Sequence, residues 1–235
     1  KHHFIQHRSI FENYSVGQYE KDILLRLNTY FKNHQYAILV GGSGLYNDAV
    51  RFGLDDFPEI PNDIQLKVRS DYEKKGLNFL QLELNKIDPV YYRQVDLNNH
   101  VRLMRALEVC YSGNFPYSYY LNNKPKKRPF EIQSYALIAD RKLIYARINH
   151  RVDQMIEMGL VQEAEYLYPH RMLNALQTVG YKELFTYFDG LSTLEEAVQN
   201  MKQNTRRFAK RQLSWLKRDS SLKFIPHDSD PLKLI

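Results

Sequence analysis

The stretch from Ala37 to Val50, AILVGGSGLYNDAV, constrains this chain more than any other. Four apolar residues run into Gly41-Gly42-Ser43-Gly44, and Leu45-Tyr46 then open a helical pattern. A short apolar run closed by glycines predicts a buried strand. The order strand, glycine turn, helix belongs to a parallel sheet covered by helices, and it can aim backbone N–H groups at an anion. A phosphate-binding P-loop would need Gly-x4-Gly-Lys-[Ser/Thr], whose lysine reaches the phosphates. No such lysine follows Gly44. A plain glycine turn between strand and helix is the simpler alternative.

The flanking pattern sets the organisation. Tyr19 to Lys32 places Ile23, Leu24, Leu27 and Phe31 on one helical stripe, which leads into the strand at Ala37. Asp63 to Glu73 and Leu77 to Ile87 read as short polar helices, so residues 58–97 are expected to form a helical insertion in a core built from 1–57 and 98–235. VRLMRALEV reads as a helix, and KPKKRPFEIQSYALIAD as a basic loop entering a second strand, Ser134 to Ala139. From Arg141 onward the pattern is helical, punctuated by Gly159, Gly180 and Gly190. At 235 residues, 43% apolar and 26% charged, the composition is that of a globular protein with one large or two small domains. No run approaches the length of a membrane span, so no membrane partner is expected. The single Cys110 excludes an internal disulfide, which suits a cytoplasmic setting. His2, His3, His7, His34 and His100 have no metal-ligand spacing, and no protein-bound metal site is read from them.

Charge is concentrated. Between Lys202 and Arg218 lie seven basic residues and no Asp or Glu, which exceeds the net charge of +6 for the whole chain. On a helical projection Phe208, Ala209, Gln212, Trp215 and Leu216 fall within about 120°, while the six basic residues from Arg206 to Arg218 fill the opposite half. With no acids interleaved to form i,i+4 pairs, that rail is read as a contact for a phosphate backbone. Arg147 and Arg151, four apart beside His150, are spaced either to clamp a pyrophosphate or to sit as an exposed pair. Arg102 and Arg105, opposite Leu103 and Leu107, carry the same ambiguity.

Taken in order, HHFI…YSV, VGGSGLY, DP…RLMRALEV, RINHRV…MIEMGLVQEAE, LQTVGYKEL and TRRFAKRQLSWLKRD resemble the tRNA dimethylallyltransferases, or tRNA isopentenyltransferases, over nearly the whole chain. The resemblance implies an α/β fold with a P-loop NTPase-like parallel-sheet core, its N-terminal part absent, a helical insertion and a helical C-terminal region. It implies transfer of a dimethylallyl group from dimethylallyl diphosphate, with Mg²⁺, to N6 of the adenosine 3′-adjacent to the anticodon. The implied partner is the anticodon stem-loop of tRNAs reading codons that start with U, bound by a monomer. Catalytic roles carry over to Arg151 and, next, Arg147, as cations balancing the leaving diphosphate. Contacts to tRNA carry over to Ser43 and Lys67, to Val101, Arg102, Leu103, Met104 and Arg105, and to Gln177, Thr178, Val179, Gly180, Tyr181 and Lys182. A last block comprises Lys210, Arg211, Gln212, Leu213, Ser214, Trp215, Leu216 and Lys217. Gly41, Gly42 and Gly44 map to a loop walling the reaction channel, where glycines would let backbone approach substrate. The family's P-loop and its general-base Asp lie before the point matching Lys1, so these residues alone are expected not to catalyse. A nucleotide kinase with a P-loop-type core and a non-catalytic RNA-binding protein are the competing classes.

Overall fold

The computed structural model describes residues 2–121 and 124–229, and the chain divides into two compact units, Lys1–Val50 with Pro129–Ile235, and Arg51–Arg128.

In the first unit, α1 (Val16–Tyr30) starts where the Ser15 hydroxyl accepts the Gln18 N–H, and it buries Ile23 of the expected stripe. The segment before it is held by Asp22, whose carboxylate accepts from Arg8, Tyr14 and Gln18. The helix α2 (Gly44–Phe52) opens at the glycine loop. The two strands β1 (Tyr135–Ile138) and β2 (Lys223–Pro226) pair in parallel, Tyr135 opposite Lys223 and Ile138 opposite Pro226. Between them run α7 (Arg141–Glu157), α8 (Leu160–Leu167), α9 (Tyr181–Phe188) and α10 (Leu194–Leu216). Val152, Leu160, Ala164, Leu184, Phe185, Ala197 and Met201 of these helices form the core. The three expected glycine punctuations all have positive φ: Gly159, Gly180 and Gly190.

The expected strand at Ala37 to Val40 is not formed. That segment is extended without ladder partners among the described strands, and Ile38 and Val40 are each 86% exposed. An apolar run can be a strand only where a neighbouring strand takes its N–H and C=O groups. The strand that does pair with β1 is β2, whose Lys-Phe-Ile-Pro sequence carries no strand signal and ends in a proline.

The second unit is helical: α3 (Asn62–Ile87), α4 (Pro89–Tyr92), α5 (His100–Ser112) and α6 (Tyr117–Tyr120). Gly76, at φ 74°, breaks α3 into the two helices read from sequence. Its core is Val68, Leu80 and Leu84 against Leu103, Ala106 and Leu107. Because α5 packs its apolar face on α3, the compact unit takes in 98–128 as well as the segment 58–97. Asp88 is 1% exposed and accepts from the Tyr91 N–H at 2.9 Å, the Ser118 N–H at 2.7 Å and the Ser118 hydroxyl at 2.8 Å, tying α4 to α6.

Asp88→Ala leaves buried donors unsatisfied and should cost about 2–3 kcal/mol, read as a lower urea midpoint. The Asp22 carboxyl is held below its ordinary 3.8, first by Arg8 and then by Tyr14 and Gln18 against the opposing effect of desolvation. A depressed carboxyl stabilises above its unfolded value and loses that contribution as pH falls through the folded one. NMR titration should place the Asp22 midpoint below 3.8, and Arg8→Ala should raise it.

Candidate functional site

The helix α10 organises the site because each of its faces has a different neighbour. Toward α7, Lys202 pairs with Asp153 at 2.6 Å and Arg206 donates to Asn149 at 2.6 Å. Toward α9, Ala197 and Met201 enter the core, and Asn204 donates to Glu183 at 2.7 Å. Farther along the helix, Gln212 donates to the Gly42 carbonyl at 2.7 Å and the Trp215 indole N–H donates to Asp48 at 2.9 Å. Of the face read as packing, Gln212 and Trp215 seat the glycine loop, whereas Phe208 is 43% exposed.

This contact gives the glycines a different reason from the one expected. A Cβ on Gly42 would lie 2.3 Å from the Gln212 amide nitrogen, and one on Gly44 would lie 2.3 Å from the Trp215 ring. Gly44 is needed for the approach of α10, because the Trp215 ring is rigid, whereas at Gly42 the flexible end of Gln212 would have to move and give up its bond to the Gly42 carbonyl. Gly41 accepts from the Asn47 side chain at 3.4 Å, and the Ser43 carbonyl accepts the Asn47 N–H. Ser43 is exposed.

The remaining face of α10 and the residues just past it are cationic and open. Arg207, Lys210, Arg211, Lys217 and Arg218 are exposed, and none has an acidic partner among the described residues. Arg206 leaves the rail because Asn149 of α7 accepts from it. Within the last candidate block, Lys210, Arg211, Ser214 and Lys217 are open. Gln212 and Trp215 hold the loop, and Leu213 and Leu216 are half-buried.

Arg147 and Arg151 lie on α7 opposite Asn149 and Asp153, the residues that face α10. Both guanidiniums are exposed and form no hydrogen bond or ion pair with a described residue. Two such forks one turn apart can take the oxygens of a diphosphate. In the segment after α8, Thr178, Val179 and Lys182 are exposed. Gly180 is buried with its N–H on Glu183, and Gln177 donates to the Arg171 carbonyl at 2.5 Å. Tyr181 donates to Glu163, and burial first, then that bond, pushes its hydroxyl up to about 12.

In the helical unit the block Val101 to Arg105 is a full helical turn and so has two sides. Leu103 is completely buried and Met104 packs against the same core, which leaves Val101, Arg102 and Arg105 for a partner. Arg105 lies over the Phe57 ring and 3.8 Å from Glu108, whose carboxyl burial pushes up. Lys67 is exposed over the Tyr111 ring. Among the described residues no three His, Cys, Asp or Glu side chains converge as a metal site, and no helix is long and apolar enough to cross a membrane.

Residues 1–219 match the family model IPP transferase. The chain belongs to the IPP transferase family. It is 49% identical over 241 residues to a tRNA dimethylallyltransferase of Flavobacterium johnsoniae, covering all of this chain and 78% of that one. A second tRNA dimethylallyltransferase, from Christiangramia forsetii, is 50% identical over 229 residues, covering 97% and 76%. The structure of the full-length tRNA isopentenylpyrophosphate transferase of Bacillus halodurans superposes with a TM-score of 0.65 at 33% identity, covering 99% of this chain and 74% of that one. The α/β fold with a parallel pair and a helical C-terminal region is thus the fold of this family.

Asp48, Asn149 and Asp153, which hold α10 in place, escaped the sequence reading. Single polar residues inside helices carry no periodic signal, and only the tertiary pairing reveals them. Because Trp215 is the only tryptophan, its seat can be watched directly. Gly44→Ala should displace the indole, shift its emission to longer wavelength and destabilise the protein by about 1–3 kcal/mol, the scale of overpacking.

Proposed function

We propose that this protein transfers a dimethylallyl group from dimethylallyl diphosphate to N6 of the adenosine 3′-adjacent to the anticodon in tRNA, acting as a cytoplasmic monomer. The observation that carries the reading is the strip from Arg207 to Arg218, five open cations without acidic partners among the described residues, on and just beyond a helix that packs on α7, α9 and the glycine loop, in a chain of this family. An RNA backbone supplies the missing anions. The open residues Ser43, Lys67, Val101, Arg102, Arg105, Thr178, Val179 and Lys182 are proposed as further tRNA contacts.

In the transfer, the N6 lone pair attacks the first allylic carbon, the C–O bond to the diphosphate breaks, and N6 loses a proton. The charge that grows on the departing diphosphate needs fixed cations. Arg151 and Arg147 are proposed for that role, since nothing on α7 already claims them. Magnesium belongs to the same proposal: carried in on the diphosphate oxygens, it would help neutralise the leaving group. A non-catalytic RNA-binding protein would use the cationic strip equally well but would have no use for an open arginine pair on α7.

The test is single-turnover prenylation of an anticodon stem-loop by the full-length protein at saturating dimethylallyl diphosphate. Arg151→Ala should lower the rate by roughly 10²–10³-fold, the scale for one stabiliser of transition-state charge. Arg151→Lys should recover little, because a point charge lacks the two-donor fork. Arg147→Ala should show the smaller loss. A near-normal rate for Arg151→Ala would make it an ordinary surface arginine.

A further inference from the structure

Four groups form a continuous chain of hydrogen bonds across the α9–α10 interface. The Gly180 N–H donates to one oxygen of Glu183 at 2.7 Å, and the Asn204 side-chain NH₂ donates to the other at 2.7 Å. The Asn204 side-chain oxygen accepts from Arg207 at 3.2 Å. Glu183 is 9% exposed and Gly180 is buried, so the inner half of the chain is shielded from water.

Only one orientation of the Asn204 amide satisfies it. Its nitrogen must face the carboxylate and its oxygen the guanidinium, since a flipped amide would set acceptor against acceptor and donor against donor. The carboxylate therefore dictates the amide, and the amide dictates where the Arg207 fork rests. The same carboxylate fixes the Gly180 backbone at φ 108°, which shapes the exposed turn at Thr178 and Val179. One buried group thus sets both the turn before α9 and the first open cation of the α10 strip.

We infer that Asn204 is a positioning residue that holds Arg207 in register with the Gln177–Gly180 turn, so that guanidinium and turn grip one sugar–phosphate strand of RNA. This deepens the proposed function and rests on its RNA partner. Arg207 is the contacting group; Asn204 and Glu183 act through it. Without Asn204 the Arg207 side chain keeps its charge but loses its set position.

The experiment uses the full-length protein and a fluorescein-labelled anticodon stem-loop, titrated at several salt concentrations. Arg207→Ala should weaken binding about fivefold and reduce the slope of log affinity against log salt by about 0.7, the contribution of one single-strand phosphate contact. Asn204→Ala should do nearly the same, and the double variant should be no weaker than Arg207→Ala alone, since coupled residues are not additive. Glu183→Gln provides an independent variant should Asn204→Ala not fold. It retains an acceptor for Gly180 but presents NH₂ to Asn204, which turns the amide and takes the acceptor from Arg207. That variant removes a negative charge and should still weaken binding. Additive losses in the double variant, or wild-type affinity and slope in Asn204→Ala and Glu183→Gln, overturn the inference. Prenyl transfer measured on the same samples separates the two readings. Transfer by wild type with unaltered binding by the variants sinks only the positioning role, whereas coupled binding losses without any wild-type transfer sink only the proposed reaction.

Discussion

The seating of α10 is the constraint on which the first unit depends. An α-helix has little more than half its circumference to offer a neighbour, yet α10 meets α7, α9 and the glycine loop along different parts of its length. It does so by stepping polar anchors around the helix: Lys202 and Arg206 on one side, Asn204 on another, Gln212 and Trp215 farther along. Each anchor meets a partner of matching polarity, so none leaves a buried group unsatisfied. What remains is a strip free of packing duties, and that strip carries the charge. Its exposure follows from the occupation of the other faces.

That division explains why the charge is tolerable. Five like charges on the last turns of α10 and just beyond it repel one another, by amounts that salt only partly screens. Lys202 is neutralised by Asp153, Arg206 is turned toward α7 by its bond to Asn149, and Arg211 and Arg218 lie over the rings of Phe208 and Trp215. The repulsion that is left is relieved by any polyanion laid along the strip.

Much of this was legible in the sequence, and the rest failed for identifiable reasons. Helices followed the 3.6-residue stripe, so α1, α5 and the two halves of α3 appeared where Ile23, Leu103 and Leu80 required them. The three positive-φ glycines likewise marked real stops. Strands were the weak point, because a strand exists only by pairing: Ala37–Val40 has the composition of one but no ladder, whereas Lys223–Pro226 lacks the composition and has the ladder. Motif blocks also overreached. A block such as Val101 to Arg105 includes both faces of its helix, and only burial separates Leu103, which holds α5 in place, from Arg102, which is free to meet a partner.

The glycine loop shows how one sequence feature can serve two demands. At Gly44 the Trp215 ring occupies the space where a side chain would be, and at Gly42 the Gln212 amide reaches in to the backbone carbonyl. Ser43 sits between them with its side chain turned to solvent. The same closeness that admits the helix thus fixes the one residue of the loop that bears a hydroxyl. If Gly44 carried a methyl group, it would press on the Trp215 ring, the loop would be pushed off α10, and Ser43 beside it would shift relative to the cationic strip. An effect of such a change on RNA would then arise from altered geometry, with every contacting group still present. For this reason the loop and α10 are best regarded as a single element, in which the glycines supply proximity and the helix supplies orientation.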